Sequence, residues 1–206
     1  MDKQKAKIVI DALQKQYPNA QTALVYNSEY QLLVAVMLSA QCTDERVNKV
    51  TKILFERCKT PSEMLTLSFE ELASIIKPCG LFNSKAKHIL QATKDIVEKH
   101  NGQVPKTLSE LTALSGVGRK TADVMIAVAF NGDAIPVDTH VFRVSNRIGL
   151  AVADNPYKCE MQLREIIREG VVFVKDRKED GTFVLTKRGK NRMLNNFPDS
   201  RNTNPE

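Results

Sequence analysis

Apolar positions recur at helical spacing through most of residues 1–170. In the first segment they fall on one face of a helix that ends before Pro18, and these positions are Ile8, Val9, Leu13 and Tyr17. Residues 30–40 are instead apolar on all sides. Because this segment is too short to cross a membrane, it predicts a buried central helix. The pattern as a whole indicates an all-α protein.

Capping and stop signals place the other predicted helices. Thr43 and Asp44 open a helix whose inner face carries four apolar residues, Val47, Val50, Ile53 and Leu54. Ser68 and Thr107 are each followed three residues later by glutamate, which is the pattern of a capping box at a helix N-terminus. Further helices are predicted over residues 84–99, 119–130, 138–147 and 156–170.

The pattern changes after Gly170. Apolar runs flank a Glu-Asp-Gly turn at 179–181, which predicts a short β-hairpin over residues 171–186. Residues 187–206 are polar and rich in asparagine, arginine and proline, so we expect them to be disordered.

Charge and cysteine usage narrow the class of partner and the compartment. The chain has 206 residues, a formal net charge of +6 at pH 7 and a pI near 9.1. This balance favours a polyanionic partner, although the 24 acidic residues require any nucleic-acid surface to be local.

The cysteines are too scattered for a zinc knuckle or a redox pair and are typical of a reduced cytosolic protein: Cys42, Cys58, Cys79 and Cys159. Since no signal-peptide pattern or membrane-length apolar run is present, we expect a cytoplasmic protein without a membrane partner.

The segment Leu114-Ser-Gly-Val-Gly-Arg-Lys-Thr-Ala122 places two glycines immediately before a predicted helix. Amide groups and the helix dipole at such an N-terminus favour a bound phosphate, and glycine leaves room for its close approach. With the flanking helices, residues 108–130 form a helix–hairpin–helix pattern, which grips a DNA phosphate without reading the base sequence. On the glycines alone, an ordinary connection between two helices explains the segment equally well.

Two polar residues in and after this segment are candidates for chemistry, and each also has an ordinary structural explanation. Lys120 lies in the first turn of its helix, where the positive helix end and burial would both favour the neutral amine that a nucleophile requires. It can equally be a phosphate clamp or a solvated surface lysine. Asp138 begins the next helix as a favoured N-cap residue, and a capping carboxylate keeps the negative charge that stabilises a developing cation or helps to take a proton. We assign His140 to the structure of this turn and not to a metal.

Four separate segments resemble one family. They are residues 38–44 (Leu-Ser-Ala-Gln-Cys-Thr-Asp), 80–86 (Gly-Leu-Phe-Asn-Ser-Lys-Ala), the hairpin segment 114–122 and 137–141 (Val-Asp-Thr-His-Val). In this order they make residues 1–169 similar to endonuclease III, a family of DNA glycosylases and abasic-site lyases within the helix–hairpin–helix superfamily of base excision repair. The lysine in the hairpin segment also separates the chain from the superfamily's adenine-specific branch, which lacks it and only hydrolyses the base.

The resemblance implies a role for each candidate residue. Lys120 would attack the sugar C1′ of an oxidised pyrimidine nucleotide, form a Schiff base and cleave the strand by β-elimination, while Asp138 would support the cationic sugar and aid deprotonation. Gln41 would fill the space vacated by the extruded base and Leu81 would be the wedge beside it, extrusion costing about a few kcal/mol. The hairpin contacts with DNA would come from Gly116, Val117, Gly118, Arg119 and Thr121. The expected partner is damaged double-stranded DNA, bound by a monomer.

The resemblance also implies a two-lobed fold. Residues 22–132 would form a six-helix barrel lobe that contains the helix–hairpin–helix. Residues 1–21 and 133–170 would form a second helical lobe, followed by an atypical tail at 171–206. DNA would cross the cleft between the lobes, with the candidate lysine and aspartate facing each other inside it.

The chain departs from the family after residue 169. The family's C-terminal helix carries a His-Gly-Arg signature and is followed by four cysteines that hold a [4Fe–4S] cluster. This chain has neither, so we predict an incomplete second lobe and no cofactor or metal. The missing helix is expected to leave the apolar faces of residues 1–17 and 156–169 exposed. Two explanations account for the difference: a cluster-free variant with a replaced tail, or a shifted reading frame near residue 170. The alternative to an active enzyme is an impaired DNA-binding module. Ser115, where the family commonly has proline, is a milder difference.

Overall fold

A computed structural model of the chain describes residues 3–18, 21–168, 174–177 and 183–185. The chain divides into two compact units. One is Thr22–Pro136, and the other is made of Met1–Gln21 together with Val137–Glu206.

The chain is helical, which confirms the predicted all-α class. Within the described residues the helices are α1 (Lys3–Gln16), α2 (Glu29–Ser39), α3 (Asp44–Arg57), α4 (Pro61–Met64), α5 (Phe69–Ile76), α6 (Phe82–Lys99), α7 (Leu108–Ala113), α8 (Arg119–Val124), α9 (Thr139–Arg147) and α10 (Pro156–Arg168). A 3₁₀ turn, Lys77–Cys79, lies between α5 and α6, and a π-helical turn, Met125–Ala129, continues α8.

The core of the unit Thr22–Pro136 is built around α2. The predicted buried helix is confirmed, because α2 starts at an N-cap supplied by Ser28 and carries the buried side chains of Leu32, Leu33 and Leu38. Helices α3, α5, α6 and α8 add aliphatic side chains to the same cluster. Since Leu114 and Val117 also belong to it, the hairpin before α8 is seated directly on the core.

Local capping signals predicted several helix starts and missed others. Ser68 forms the predicted capping box with the glutamate three residues later. Thr43 is the N-cap of α3, but its side chain makes no capping hydrogen bond. The prediction missed α4, although Thr60 and Glu63 form a complete capping box there with Pro61 at the first helical position.

Two predicted side-chain positions need correction. Ile53 was expected on the inner face of α3 and is 57% exposed, because it lies about 100° around the helix from the buried Leu54. At α7 the Thr107 hydroxyl accepts from the Glu110 amide, as a cap should. The Glu110 carboxylate, however, accepts from that hydroxyl at 2.5 Å instead of from the Thr107 amide, so only half of the predicted box forms.

In the second unit the apolar faces of α1 and α10 differ. The expected exposure of the α1 face is confirmed, with Ile8 65% exposed and Tyr17 exposed as well. On α10 the expectation fails for Cys159 and Leu163, which are buried, whereas Ile166 of the same face is partly exposed. Helix α9 packs against α10 within this unit.

Two short strands lie in the region where the sequence predicts a hairpin. Strands β1 (Val174–Arg177) and β2 (Phe183–Leu185) pair antiparallel, with an irregular register between Val174 and Asp176. The tail at 187–206, which the sequence predicts to be disordered, lies outside the described residues. Among the helices that the structure describes, none is both long and apolar enough to cross a membrane.

Candidate active site

The hairpin between α7 and α8 is held on both sides of its turn. The Leu114 and Val117 side chains are buried, and the Val117 amide donates to the Leu114 carbonyl at 3.1 Å. Beneath the turn, the Ser115 hydroxyl lies 3.0 Å from Nδ1 of His88 in α6. The core and α6 therefore fix the hairpin's conformation. Val117, predicted as a DNA contact, has its side chain in the core and its amide hydrogen already engaged.

The two hairpin glycines are required for different reasons. Gly116 has a φ of +75°, and a Cβ placed there would lie 2.7 Å from Cβ of His88. Gly118 has an extended backbone with φ −82° and ψ 173°, and no atom lies within 4 Å of a Cβ placed there. The fold therefore requires glycine at position 116. At position 118 the open space before the α8 N-terminus is what a phosphate approaching the helix amides needs.

Alanine at each glycine is expected to separate folding from DNA binding. Gly116→Ala is expected to lower the free energy of unfolding by about 2–3 kcal/mol, because backbone strain and overlap with His88 act together. Gly118→Ala is expected to change stability by less than about 0.5 kcal/mol. It is nevertheless expected to weaken duplex binding about tenfold, because its methyl group would enter the space predicted for a DNA phosphate. Urea unfolding and fluorescence-anisotropy titration measure the two effects.

Gly102 supplies the matched control for backbone strain alone. It also has a φ of +75°, but no atom lies within 4 Å of a Cβ placed there. Gly102→Ala is therefore expected to cost about 1–2 kcal/mol, less than Gly116→Ala, and to leave DNA binding unchanged. Equal stability losses at positions 116 and 118 would contradict the distinction between the two hairpin glycines.

The first turn of α8 carries the candidate nucleophile. Lys120 lies two residues after the N-cap Gly118, and its side chain is exposed. Its neighbour Arg119 forms an ion pair with Asp123 one turn later, with 3.9 Å between Nε and Oδ2, and Asp123 is only 1% exposed. Since a buried carboxylate needs such a partner, the pair directs Arg119 along the helix. The amides of this turn, including that of the half-buried Thr121, have no carbonyl acceptor within α8, and this helix end is suited to an anion.

Asp138 is the N-cap of α9, as the sequence predicts. Its Oδ1 accepts hydrogen bonds from the amides of His140 and Val141 at 2.9 and 2.8 Å. These bonds fix the position of the carboxylate and favour its charged form. His140 acts here through its backbone, in agreement with its assignment to the turn. Lys120 belongs to the other unit, so the approach of the two side chains stays a prediction.

Two exposed loops carry the residues predicted to enter DNA. Gln41 follows α2 with a φ of 55°, and Leu81 precedes α6 with a φ of 49°. This left-handed conformation costs a residue with a side chain about 1–2 kcal/mol, and such strain concentrates at functional sites. The Leu81 side chain is also 60% exposed. The structure therefore presents both side chains outward on strained backbone.

Behind these loops lies a residue, Lys85, that the sequence did not single out. Lys85 of α6 is 7% exposed, and its ammonium group donates to two backbone carbonyls in the interior of the unit. Lysine side chains are almost never buried to this extent unless they are paired. Composition alone therefore gives no reason to expect Lys85 in the core. Its spacing was the available signal, because Lys85 lies four residues before Ile89 on the inner face of α6.

The cysteines do not fit the ligand set of an iron–sulfur cluster. Burial raises the pKa of the Cys79 thiol to about 11, and it also raises the pKa of Cys58 and Cys159 above the usual range. Cluster ligands are thiolates, which such burial disfavours. In the described part of the chain, no group of three or more His, Cys, Asp or Glu side chains is placed to hold a metal ion.

A family model and curated relatives match this chain over most of its length. The model described as HhH-GPD superfamily base excision DNA repair protein matches residues 34–169. Endonuclease III of Haemophilus influenzae is 47% identical over 167 residues, which cover 81% of this chain and 79% of that protein.

Two solved structures of endonuclease III are also similar to this chain. The structure of a trapped endonuclease III–DNA covalent intermediate is 45% identical, has a TM-score of 0.77 and covers 81% of this chain and 79% of its own. The structure of a non-covalent endonuclease III–DNA complex is 37% identical, has a TM-score of 0.75 and covers 94% of this chain and 99% of its own.

Proposed function

Because the chain belongs to the endonuclease III family of the HhH-GPD superfamily, whose members are DNA glycosylases and abasic-site lyases, we propose that it removes oxidised pyrimidines from double-stranded DNA through a Schiff base on Lys120. The single observation that carries this proposal is the position of Lys120 in the first turn of α8, directly behind the hairpin held by Gly116. We further propose that one copy of the chain suffices, since each assigned residue lies in the same chain.

The hairpin's role is to bind the phosphate backbone. The open space at Gly118 and the amides of the first α8 turn receive a phosphate oxygen, while Arg119 adds positive charge. This contact sets the register of the duplex without selecting a base sequence. It leaves Lys120, one helical position further on, beside the sugar of the damaged nucleotide.

Lys120 supplies the bond-forming electron pair. The neutral amine attacks C1′ as the bond between C1′ and the base breaks, and the base leaves with a proton. The sugar ring then opens to give an iminium on Lys120. Loss of a C2′ proton moves electrons toward the iminium and expels the 3′ phosphate oxygen, which nicks the strand. Water finally hydrolyses the imine and frees the enzyme.

Asp138 stabilises the cationic stages of this sequence. Its carboxylate is positioned by two amides of α9, so little reorganisation is needed as positive charge develops on the sugar. The carboxylate also accepts the proton that the nitrogen of Lys120 releases when it bonds to C1′. Both roles require the charge, and neither requires the proton of a carboxylic acid.

Gln41 and Leu81 make the base accessible. A base inside the duplex must be extruded before C1′ can be attacked from the side of the enzyme, at a cost of about a few kcal/mol. The exposed Leu81 acts as the wedge, and Gln41 occupies the vacated space and faces the orphaned base. Their strained backbone positions keep both side chains directed outward.

Leu81→Ala is expected to impair base extrusion more than duplex binding. A smaller side chain leaves the gap unfilled, so kcat/KM on a lesion duplex is expected to fall about tenfold, while affinity for undamaged duplex stays within about twofold. Leu65→Ala, at another exposed leucine, is the matched control and should change neither quantity. If Leu81→Ala keeps the wild-type kcat/KM, Leu81 has no role in the mechanism.

Incubation with an oligonucleotide duplex that contains thymine glycol tests the function as a whole. An active glycosylase–lyase releases the free base and nicks the strand on the 3′ side of the lesion, and borohydride converts the imine into a stable adduct. The competing function is a DNA-binding module without catalysis. That alternative predicts salt-sensitive binding of the same duplex with neither base release nor adduct.

A further inference from the structure

A buried ammonium group lies behind the two loops that carry Gln41 and Leu81. The Nζ of Lys85 donates to the Leu38 carbonyl at 2.8 Å and to the Cys79 carbonyl at 2.8 Å. Leu38 lies in the last turn of α2, three residues before Gln41. Cys79 ends the 3₁₀ turn, two residues before Leu81. One side chain therefore contacts both loops at their bases.

The backbone of the same lysine extends this contact. Its amide donates to the Leu81 carbonyl at 2.9 Å, which forms the first helical hydrogen bond of α6. The Leu38 acceptor is 47 residues away from Lys85 in the chain, whereas Cys79 is only 6 residues away. Lys85 thus joins the α2 loop to the α6 loop across a long chain separation.

The two acceptors explain why a charged group is tolerated at this depth. Carbonyls in the last turn of a helix lack an intrahelical donor and lie at the negative end of the helix dipole. An ammonium group satisfies two such carbonyls at once with charge-assisted hydrogen bonds. An apolar side chain of similar length can fill the same volume, but it cannot hydrogen-bond to the two carbonyls and so does not connect the two loops. The position therefore serves the geometry of the two loops more than the packing of the core.

We propose that Lys85 is a positioning residue that holds the Gln41 and Leu81 loops at the separation at which both side chains enter one DNA site. The inference rests on the proposed function, because it assigns a purpose to loops whose DNA contacts belong to that function. Lys85 itself touches no substrate, since its ammonium group is buried against backbone carbonyls. Lys85 therefore affects only the difference in affinity between lesion and undamaged DNA. The hairpin does not control this difference.

Binding measurements on Lys85→Met test the proposal. The probes are two duplexes, one with a tetrahydrofuran abasic-site analogue and one undamaged, and the readout is the ratio of their Kd values. Misplacing both loops is expected to raise the Kd for the analogue about ten- to hundredfold. The Kd for undamaged duplex is expected to change by less than about twofold, because the phosphate contact remains intact. Lys85→Gln, which keeps one donor group without the charge, is expected to lie between Lys85→Met and wild type.

Tyr30→Phe provides the control for general destabilisation. It removes a buried hydrogen bond of 2.7 Å between Tyr30 Oη and Thr93 Oγ1 in the same core, away from both loops. This variant is expected to lose stability and to keep the wild-type Kd ratio. If the methionine variant fails to fold by circular dichroism, the glutamine variant decides the outcome in its place.

Two results would overturn the positioning role. One is a wild-type Kd ratio in a folded Lys85 variant, and the other is a loss of affinity for both duplexes in parallel, which is the mark of a structural role. A wild-type protein that shows neither preference for the analogue nor an adduct with thymine glycol DNA overturns the proposed function as well. Because the wild-type protein is measured first, the two failures are distinguishable.

Discussion

Lys120→Ala is expected to abolish strand cleavage at an abasic site. The amine provides the only electron pair that the proposed Schiff-base step uses, so its removal is expected to lower the single-turnover cleavage rate by at least about 10⁴-fold. Affinity for a lesion duplex is expected to change by less than about threefold, because one exposed positive charge among several phosphate contacts is lost. Gel analysis of a labelled abasic-site duplex measures the first quantity, and anisotropy titration measures the second.

Two further substitutions decide between the nucleophile and the phosphate clamp. Lys120→Arg keeps a positive charge at the α8 N-terminus, but a guanidinium group is not deprotonated in proteins and forms no Schiff base. It is therefore expected to lose cleavage as completely as the alanine variant. Lys87→Ala removes an exposed lysine from α6 and should cleave at the wild-type rate. Substantial cleavage by the arginine variant would assign Lys120 to electrostatic binding instead.

Asp138→Asn is expected to separate the structural role of this residue from its chemical role. Asparagine caps a helix as well as aspartate does, so the free energy of unfolding is expected to change by less than about 0.5 kcal/mol. The lost charge is expected to lower the rate of base release by about 10²–10³-fold, as for other preorganised charges that stabilise a transition state. Urea unfolding gives the first value, and chromatographic detection of the released base gives the second.

Asp138→Ala completes the comparison, because it removes the cap as well as the charge. The two hydrogen bonds that Oδ1 accepts at the start of α9 are lost. This variant is expected to lose about 1 kcal/mol of stability beyond the asparagine variant, with a similar loss of rate. If the asparagine variant releases base at the wild-type rate, Asp138 is a helix cap and nothing more.

The fold and the hairpin were predictable because they depend on local signals. The all-apolar segment became the buried helix α2, and the glycine-rich segment became a turn directly before α8. Asp138 was predicted as an N-cap for the same reason, since a short acceptor side chain directly before a helix is the preferred N-cap. Such signals act over a few residues and are visible in the sequence without tertiary information.

Features that depend on tertiary packing were not predictable in the same way. Nothing near Gly116 in the sequence indicates that His88 lies against it, although this contact excludes a side chain at position 116. The left-handed backbone of Gln41 and Leu81 is likewise fixed by the segments around them, since neither residue favours it locally. Lys85 was missed because its acceptors are carbonyl groups, one of which belongs to a segment far away in the chain.

The apolar face of α10 differs from what the family resemblance implies. The absent C-terminal helix predicted exposed apolar faces on two helices. Helix α1 exposes its face, whereas Cys159 and Leu163 of α10 are buried. Helix α9 packs against α10 in the part of this unit that the structure describes. The second unit therefore keeps buried apolar side chains on α10.

Peptide mapping of the borohydride-trapped wild-type protein tests the central claim most directly. The protein is trapped on an abasic-site duplex and digested, and the modified peptide is identified by mass spectrometry. We predict one adduct per chain, located on Lys120 in the first turn of α8. An adduct on a different residue, or tight binding of the duplex without any adduct, would contradict the assignment of Lys120 as the nucleophile.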